Sequence, residues 1–500
     1  MEFAFIKKIS DFSDLVPVFR YRIPTFLIGA FIRFIKRIES ITGISFGIIL
    51  PSEILHHDIK LLSFLAKAEL FKEFGIFEHY YPITTNYPDE PPIAHRWYGK
   101  VATSHYKGTG LDGYGYDFFN ERKAFCAMLG EGIERWAVVH YDPPVSHDCV
   151  DASFKELKKE GALDIFSLAG YTKALREKGD KMYDLRFDEE SFFRWVRGRS
   201  LVSDRPLWIP LQLVSFAREN ILKKREESFL LSRVTTGMAA HEDFDKATLG
   251  GILETIERDA FMIYWLNKLT PHVINIASIK DRRLFELSER FKKYKLELYA
   301  LYLKTDVPAH VVATLIVDRS GVGPAVSVGA SAGLDLADAV YRSLCEAYVT
   351  HLAVRRNKSS AFSESKSEYK NPSEIGHLER LDYWYPVEKI KYLDFWLSGE
   401  KKDFRIFPVY PHTMNVKDQL RFLFSYFRDN RYEVTVNKIL SEELTQKVDM
   451  TVAVVNIPEF QPLHLLEWLP CEGGRRLHEV PHMLGYKPLA ILNTLPHMFP

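Results

Sequence analysis

Glu131-Gly132-Ile133-Glu134-Arg135-Trp136 and Glu254-Thr255-Ile256-Glu257-Arg258-Asp259 share the pattern E-x-I-E-R at a separation of 254 − 131 = 123 residues. That recurrence decides how the chain is read, because two copies at a fixed offset imply two similar halves. Around the first copy, Phe125, Met128, Leu129, Ile133 and Trp136 recur at helical spacing; around the second, Leu249, Ile252, Leu253, Ile256, Ala260 and Ile263 do the same. Both runs read as amphipathic helices. The isoleucine between the two glutamates belongs to the apolar stripe in each, so the carboxylates hold the same phase relative to the buried face in both halves.

Glutamates three apart lie on one helix face, where like charges repel unless a cation sits between them. Magnesium removes that repulsion: it accepts a few carboxylate oxygens and fills its octahedron with water and substrate phosphates, so two such helices facing each other make a nucleotide–metal site. Arg135 and Arg258 follow the pairs and offer planar forks of donors suited to phosphate oxygens. Each copy alone reads more readily as a solvated helix face with an i, i+4 ion pair; two copies in matching phase bring the functional reading level with that one. A third element, Arg342-Ser-Leu-Cys-Glu346, lies on a further helical stripe (Ala337, Val340, Tyr341, Leu344, Tyr348) with Arg342 and Glu346 one turn apart. Upstream of the first helix, the glycine-rich run Lys107 to Gly115, with Gly108 and Gly110, brings backbone amides within reach of phosphates or forms a bare glycine turn. No G-x-x-x-x-G-K-[ST] loop or dinucleotide fingerprint stands in the chain.

The 500 residues are 46% hydrophobic and 14% aromatic, enough for one large domain and a smaller one. Lys plus Arg (66) equals Asp plus Glu (66), so no chain-wide basic field holds nucleic acid. Cys126, Cys149, Cys345 and Cys471 are widely spaced without a C-x-x-C pair; neither a zinc site nor a disulfide framework is implied, and a reducing cytoplasm fits. Thr25 to Arg37 is apolar for only about a dozen residues, too short to span a bilayer, and reads as a packed amphipathic helix. The Pro-rich stretch Tyr80 to His95 reads as a connector, placing a boundary near residue 90 between an N-terminal region (1–90) and a catalytic domain (91–500). Beyond it, helical patterns alternate with β-type runs at Val311 to Asp318 and Thr451 to Ile457, an α+β (mixed α/β) architecture. Arg355 to Pro372 is rich in Ser, Lys and Glu and reads as a mobile surface loop.

Three blocks, GTGLDGYGYDFFNERKAFCAMLGEGIER, TTGMAAHEDFDKATLGGILETIERDAF and GASAGLDLADAVYRSLCEAY, stand in this order and resemble the nucleotide-binding blocks of the YcaO family. The final stretch, RRLHEVPHMLGYKPLAILNTLPHMFP, resembles the tail of its azoline-forming branch, and Arg197 to Val214 resembles a strand-turn-strand segment of that branch. The resemblance covers roughly residues 95 to 500. It implies a YcaO-like fold of two pseudo-repeated halves around an ATP site without a phosphate-binding loop. Glu131, Glu134, Glu254, Glu257 and Glu346 are then the magnesium carboxylates; Arg135, Arg258 and Arg342 face nucleotide, with Gly108, Gly110, Thr235 and Thr236 beside it; Arg342 and Pro500 take part in catalysis. The chain departs from the family pattern at Ala127 and at Thr235-Thr236, where the family carries Ser and Ser-Asn, and its Pro496-His-Met-Phe-Pro500 ending lacks the middle proline of the P-x-P-x-P tail.

The implied chemistry is amide activation. A Cys, Ser or Thr of a ribosomal precursor peptide adds to a backbone carbonyl, ATP phosphorylates the adduct oxygen, and departure of phosphate leaves thiazoline or oxazoline; the enzyme positions and neutralises charge. Thioamide formation from sulfide uses the same ATP site, and a non-catalytic peptide-binding scaffold is the third alternative. Histidines, His140 and His497 among them, read as structural or surface groups, since no Ser-His-Asp or Cys-His constellation is evident. Residues 1–90 show no complete leader-binding module, so the expected partner is a separate protein resembling a ubiquitin-activating enzyme. An FMN dehydrogenase that oxidises azolines onward and a second copy of the chain as a homodimer complete the expected partners, with no nucleic acid and no integral membrane association.

Overall fold

The computed structural model describes residues 71–499 apart from 85–86, 93–94, 103–110, 181–182, 217–221, 223–225, 233, 361–374 and 376. Gly108, Gly110, Pro500 and the apolar run Thr25 to Arg37 therefore lie outside the described residues.

Fourteen strands form three sheets among the described residues. The first is an antiparallel meander of β1 (Phe77–Pro82), β2 (His95–Val101) and β3 (Gly113–Asp117). The second has β4 (Cys149–Ser153), β5 (Phe192–Ser200), β6 (Pro206–Pro210) and β7 (Met238–His241), together with β13 (Thr435–Lys438) and β14 (Thr451–Asn456); its order is β4-β5-β13-β14-β7, with β6 on β5. The third holds β8 (His272–Ile274), β9 (Glu297–Tyr302), β10 (His310–Val317), β11 (Val326–Gly333) and β12 (Lys401–Lys402), ordered β11-β10-β9-β8-β12. The two β-type runs read from sequence are β10 and β14, both buried along their whole length. Arg197 to Val214 holds the turn end of the β5–β6 hairpin and all of β6.

Three long helices organise these sheets: α1 (Glu121–His140), α2 (Phe244–Leu266) and α3 (Leu336–Ser360). Asn120 and Asp243 cap α1 and α2, each accepting from the amide three residues on. Each helix packs on the strand just before it and on a strand of the next unit: α1 on β3 and β7, α2 on β7 and β11, α3 on β11 and β3. Three strand–helix units thus close into a ring, one more than the two halves expected from the repeat. Glycine makes the contact close. A Cβ on Gly115 would come within 1.7 Å of Ala124 O, and one on Gly329 within 2.2 Å of Ala347 N.

The expected boundary near residue 90 falls between two paired strands, because β1 bonds to β2 across the Pro-rich stretch. That connector also carries a buried side chain: Glu90 Oε1 lies 2.9 Å from His351 Nε2 and pairs with Arg355. Arg355 in turn grips Asp89 at 2.7 Å, which explains why Arg355–Ser360 prolongs α3 instead of opening the expected loop. Residues 361–372 of that patch are outside the described residues. Helix α4 (Val416–Asp429) and helix α5 (Arg476–Met483) pack on α2 from the outside. Buried Arg476 pins α5 there by bonding Asp259 and Asp306, each at 2.7 Å. All four cysteines are free.

Candidate nucleotide and metal site

Backbone amides set the carboxylates. Tyr114 N donates to Glu131 Oε2 at 2.7 Å and Gly237 N to Glu254 Oε2 at 3.0 Å, and each donor lies 17 residues ahead of its acceptor. Ala330 N donates to Glu346 Oε2 at 2.7 Å from 16 residues ahead. One backbone amide in, or just ahead of, the strand therefore fixes one helix glutamate in each unit of the ring. The positive φ of Gly237 (80°) turns its amide toward α2.

The arginines repeat the pattern. Arg135 Nη2 lies 3.0 Å from Glu131 Oε1, and its Nη1 lies 3.3 Å from Glu134 Oε1. Arg258 Nη2 lies 3.3 Å from Glu254 Oε1, and its Nε lies 3.4 Å from Glu257 Oε1. These side chains are 10–29% exposed, so they face a shared interior rather than solvent. The position between the paired residues differs for a local reason: Gly132 leaves room for the Phe77 ring, whereas Thr255 bonds Gly251 O at 2.8 Å.

Electrostatics joins the units. Burial pushes the Glu134 carboxyl well above its usual range, and Glu254 on the other motif helix pushes it further. Burial, followed by the neighbouring Glu257, raises Glu346 to about 8. Glu257 is raised by burial too, opposed by Arg258 and by Arg342 of the third helix. Half-buried Tyr116 is pushed up by desolvation and by the nearby Glu346, Glu131 and Glu257. Carboxylates from all three units thus share one poorly hydrated neighbourhood, short of positive charge.

Those residues fit a magnesium–triphosphate group. Arg135 Nε and Arg258 Nη1 are buried without a hydrogen-bond partner, donors that a phosphate oxygen would satisfy. Among the described residues no three His, Cys, Asp or Glu side chains gather into a complete metal cage. Magnesium suits this arrangement, since it is held by one or two carboxylates together with phosphate oxygens and water. Arg342 sits at the rim, half-exposed, with Nη2 donating to Ala332 O at 2.7 Å and Nε 3.0 Å from Asp338. Thr235 and Thr236 form the turn that leads to Gly237 and β7.

Sequence reasoning singled out Arg342 and Glu346 on a third helix but missed that this helix and β11 repeat the strand–helix unit; it also missed the donors Tyr114, Gly237, Ala330 and Ala332, and the Asp117 clamp. Asp117 Oδ1 accepts from Asn120 N at 2.8 Å and from Tyr341 OH at 3.0 Å, tying the start of α1 to α3. The clue was present in the glycines of GYGYD and VSVGASAG. His140 sits at the exposed end of α1 with Nδ1 2.8 Å from Trp136 O, and His497 is buried in the core.

A ring of strand–helix units with inward carboxylates and arginines defines an α+β protein of YcaO-like fold. A family model described as "YcaO cyclodehydratase, ATP- and Mg2+-binding" matches residues 118–461, and the chain belongs to that family. No curated protein matches by sequence. Among solved structures, a heterocyclase in complex with substrate and cofactor is 18% identical with a TM-score of 0.66, covering 87% of this chain and 57% of that one. The chain thus spans little more than half the length of that neighbour. YcaO from Methanopyrus kandleri bound with AMPPCP and Mg2+ is 16% identical with a TM-score of 0.54, covering 82% of this chain and 91% of that one. A chain of the E. coli microcin synthetase McbBCD complex is 15% identical with a TM-score of 0.53, covering 76% of this chain and 88% of that one. No helix among the described residues is long and apolar enough to cross a membrane.

Proposed function

We propose that this chain is an ATP- and Mg2+-dependent cyclodehydratase that closes azoline rings at Cys, Ser or Thr of a ribosomal precursor peptide. One observation carries the proposal: glutamates of two helices distant in sequence are held by backbone amides 17 residues ahead of them and face one another closely enough for Glu254 to perturb Glu134. Glu131, Glu134, Glu254, Glu257 and Glu346 are the carboxylates available to magnesium, and Arg135, Arg258 and Arg342 are the donors for phosphate. Thr235 and Thr236, with Gly108 and Gly110, border the nucleotide, and Pro500 serves in catalysis. When bound, MgATP supplies the phosphoryl group that turns an amide oxygen into a leaving group. The side chains contribute preorganised charge, spread over several oxygens, and exclude bulk water from it.

Family membership and the neighbour solved with AMPPCP and Mg2+ support the ATP and magnesium assignments. The heterocyclase and microcin synthetase neighbours support ring closure on a peptide with help from partner proteins. The partner we propose is a leader-binding protein resembling a ubiquitin-activating enzyme, with an FMN dehydrogenase where rings are oxidised. Peptide-dependent ATP hydrolysis with Mg2+ tests this function. Glu131→Gln and Glu254→Gln are each expected to abolish it; full activity in both would favour a scaffold, and thioamide in the modified peptide would replace ring closure.

A further inference from the structure

The two motif arginines are equivalent in their carboxylate partners but not in what covers them. The Phe499 ring lies over the Arg258 guanidinium, 3.8 Å from centroid to Cζ, whereas among the described residues no aromatic ring lies over Arg135. Phe499 is fully buried and meets Phe261 edge-on at 4.8 Å. The segment that delivers it is fixed by side chains remote from the nucleotide site. Trp265 Nε1 donates to Leu495 O at 3.0 Å and Trp384 Nε1 to Pro496 O at 2.9 Å. His497 Nδ1 accepts from Phe499 N at 3.2 Å. Its Nε2 lies 2.7 Å from His464 O and 3.0 Å from Arg380 Nη1.

A guanidinium held on two edges by Glu254 and Glu257 still has both faces open. An aromatic ring on one face fixes its plane, and in a desolvated setting that contact is among the stronger cation–π cases. We infer that Phe499 is a positioning residue for Arg258, so that seating of the Leu495–Phe499 segment and nucleotide occupancy are energetically linked, independently of any chemistry at Pro500. This rests on the proposed role of Arg258 at the nucleotide. Linkage is reciprocal, so nucleotide must also hold the segment in place.

Calorimetric titration of the full chain with AMPPCP and Mg2+ tests it. Wild-type binding is measured first: no binding there defeats the ATP-site proposal itself and is distinguishable from failure of this one. Phe499→Leu is expected to weaken binding about tenfold and Phe499→Tyr to keep it within about twofold of wild type. In hydrogen exchange the Phe499 amide is expected to gain protection on nucleotide binding in wild type. A thermal melt reports whether Phe499→Leu is folded; if it is not, the exchange experiment on wild type decides. Wild-type affinity in folded Phe499→Leu, or no change in Phe499 protection, would each overturn the inference.

Discussion

Ala332 N donates to Glu257 Oε2 at 3.0 Å across 75 residues of sequence. This bond joins the second motif helix to the strand of the third unit, in addition to the Arg258 pairing that Glu257 shares in kind with Glu134 and its Arg135. Glu257 thus has a scaffold role as well as a charge, and two substitutions separate them. Glu257→Gln keeps the acceptor and removes the charge, and is expected to melt close to wild type while Mg2+-dependent AMPPCP affinity falls roughly 10–100-fold. Glu257→Ala orphans the Ala332 amide and is expected to cost about 1–3 kcal/mol of stability besides. Calorimetry and urea denaturation measure the two effects separately.

Close strand–helix approach predicts that glycines of the ring cannot be enlarged. At Gly329 a Cβ would sit 2.2 Å from Ala347 N and 2.6 Å from the Glu346 Cβ, so Gly329→Ala is expected to cost at least about 1–3 kcal/mol and to displace Glu346 from the site. Gly130 on α1 meets nothing closer than Ala240 O at 3.8 Å, and Gly130→Ala is expected to stabilise by roughly 0.5–1 kcal/mol. Denaturation midpoints of the pair give the comparison.

Arg476 on α5 is fully buried and splits its donors between Asp259 and Asp306, with Tyr432 OH a further partner at 2.6 Å. Asp259 follows Arg258 in sequence, so this cluster anchors the outer face of α2. Removing the guanidinium leaves two carboxylates without their partner, and Arg476→Met is expected to lose about 3–5 kcal/mol. Replacing Arg476, Asp259 and Asp306 together by apolar residues should recover most of it, as urea melts would show.

Much of the site was legible before the fold was. The phase of Ile133 and Ile256 in their stripes gave Glu131 and Glu134 the same direction relative to the buried face as Glu254 and Glu257, because a helix of known period converts spacing into direction. Glu346 was placed on a third helix, but its equivalence to Glu131 and Glu254 escaped, since it lacks the E-x-I-E-R repeat and the likeness lies in a backbone bond from Ala330, which side-chain patterns do not report. Arg355 misled for a related reason. Its Ser- and Lys-rich surroundings suggested a loop, while its ion pairs to Asp89 and Glu90, some 265 residues earlier, are invisible to local composition. The same long-range logic put β1 on the far side of the expected boundary.

A buried histidine gives a pH dependence of folding. His310, packed against Tyr302 and Tyr410, has its pKa lowered to about 4 by burial. Above the unfolded value near 6.5 both states are neutral and no penalty exists. As pH falls from about 6.5 to about 4 the unfolded chain takes up a proton that the folded one refuses, removing roughly 3 kcal/mol, and below that window the loss levels off. His310→Gln is expected to flatten this slope in urea midpoints recorded between pH 7 and 4, and an unchanged slope would assign the effect to other groups.

The central claim is that α1 and α2 build a single nucleotide site between them. Counting AMPPCP bound per chain by calorimetry in the presence of Mg2+, for wild type, Glu131→Gln and Glu254→Gln, tests this most directly. One nucleotide per wild-type chain, with either substitution alone weakening it at least about tenfold, is the predicted result. Two nucleotides per chain, or full affinity after either substitution, would contradict it.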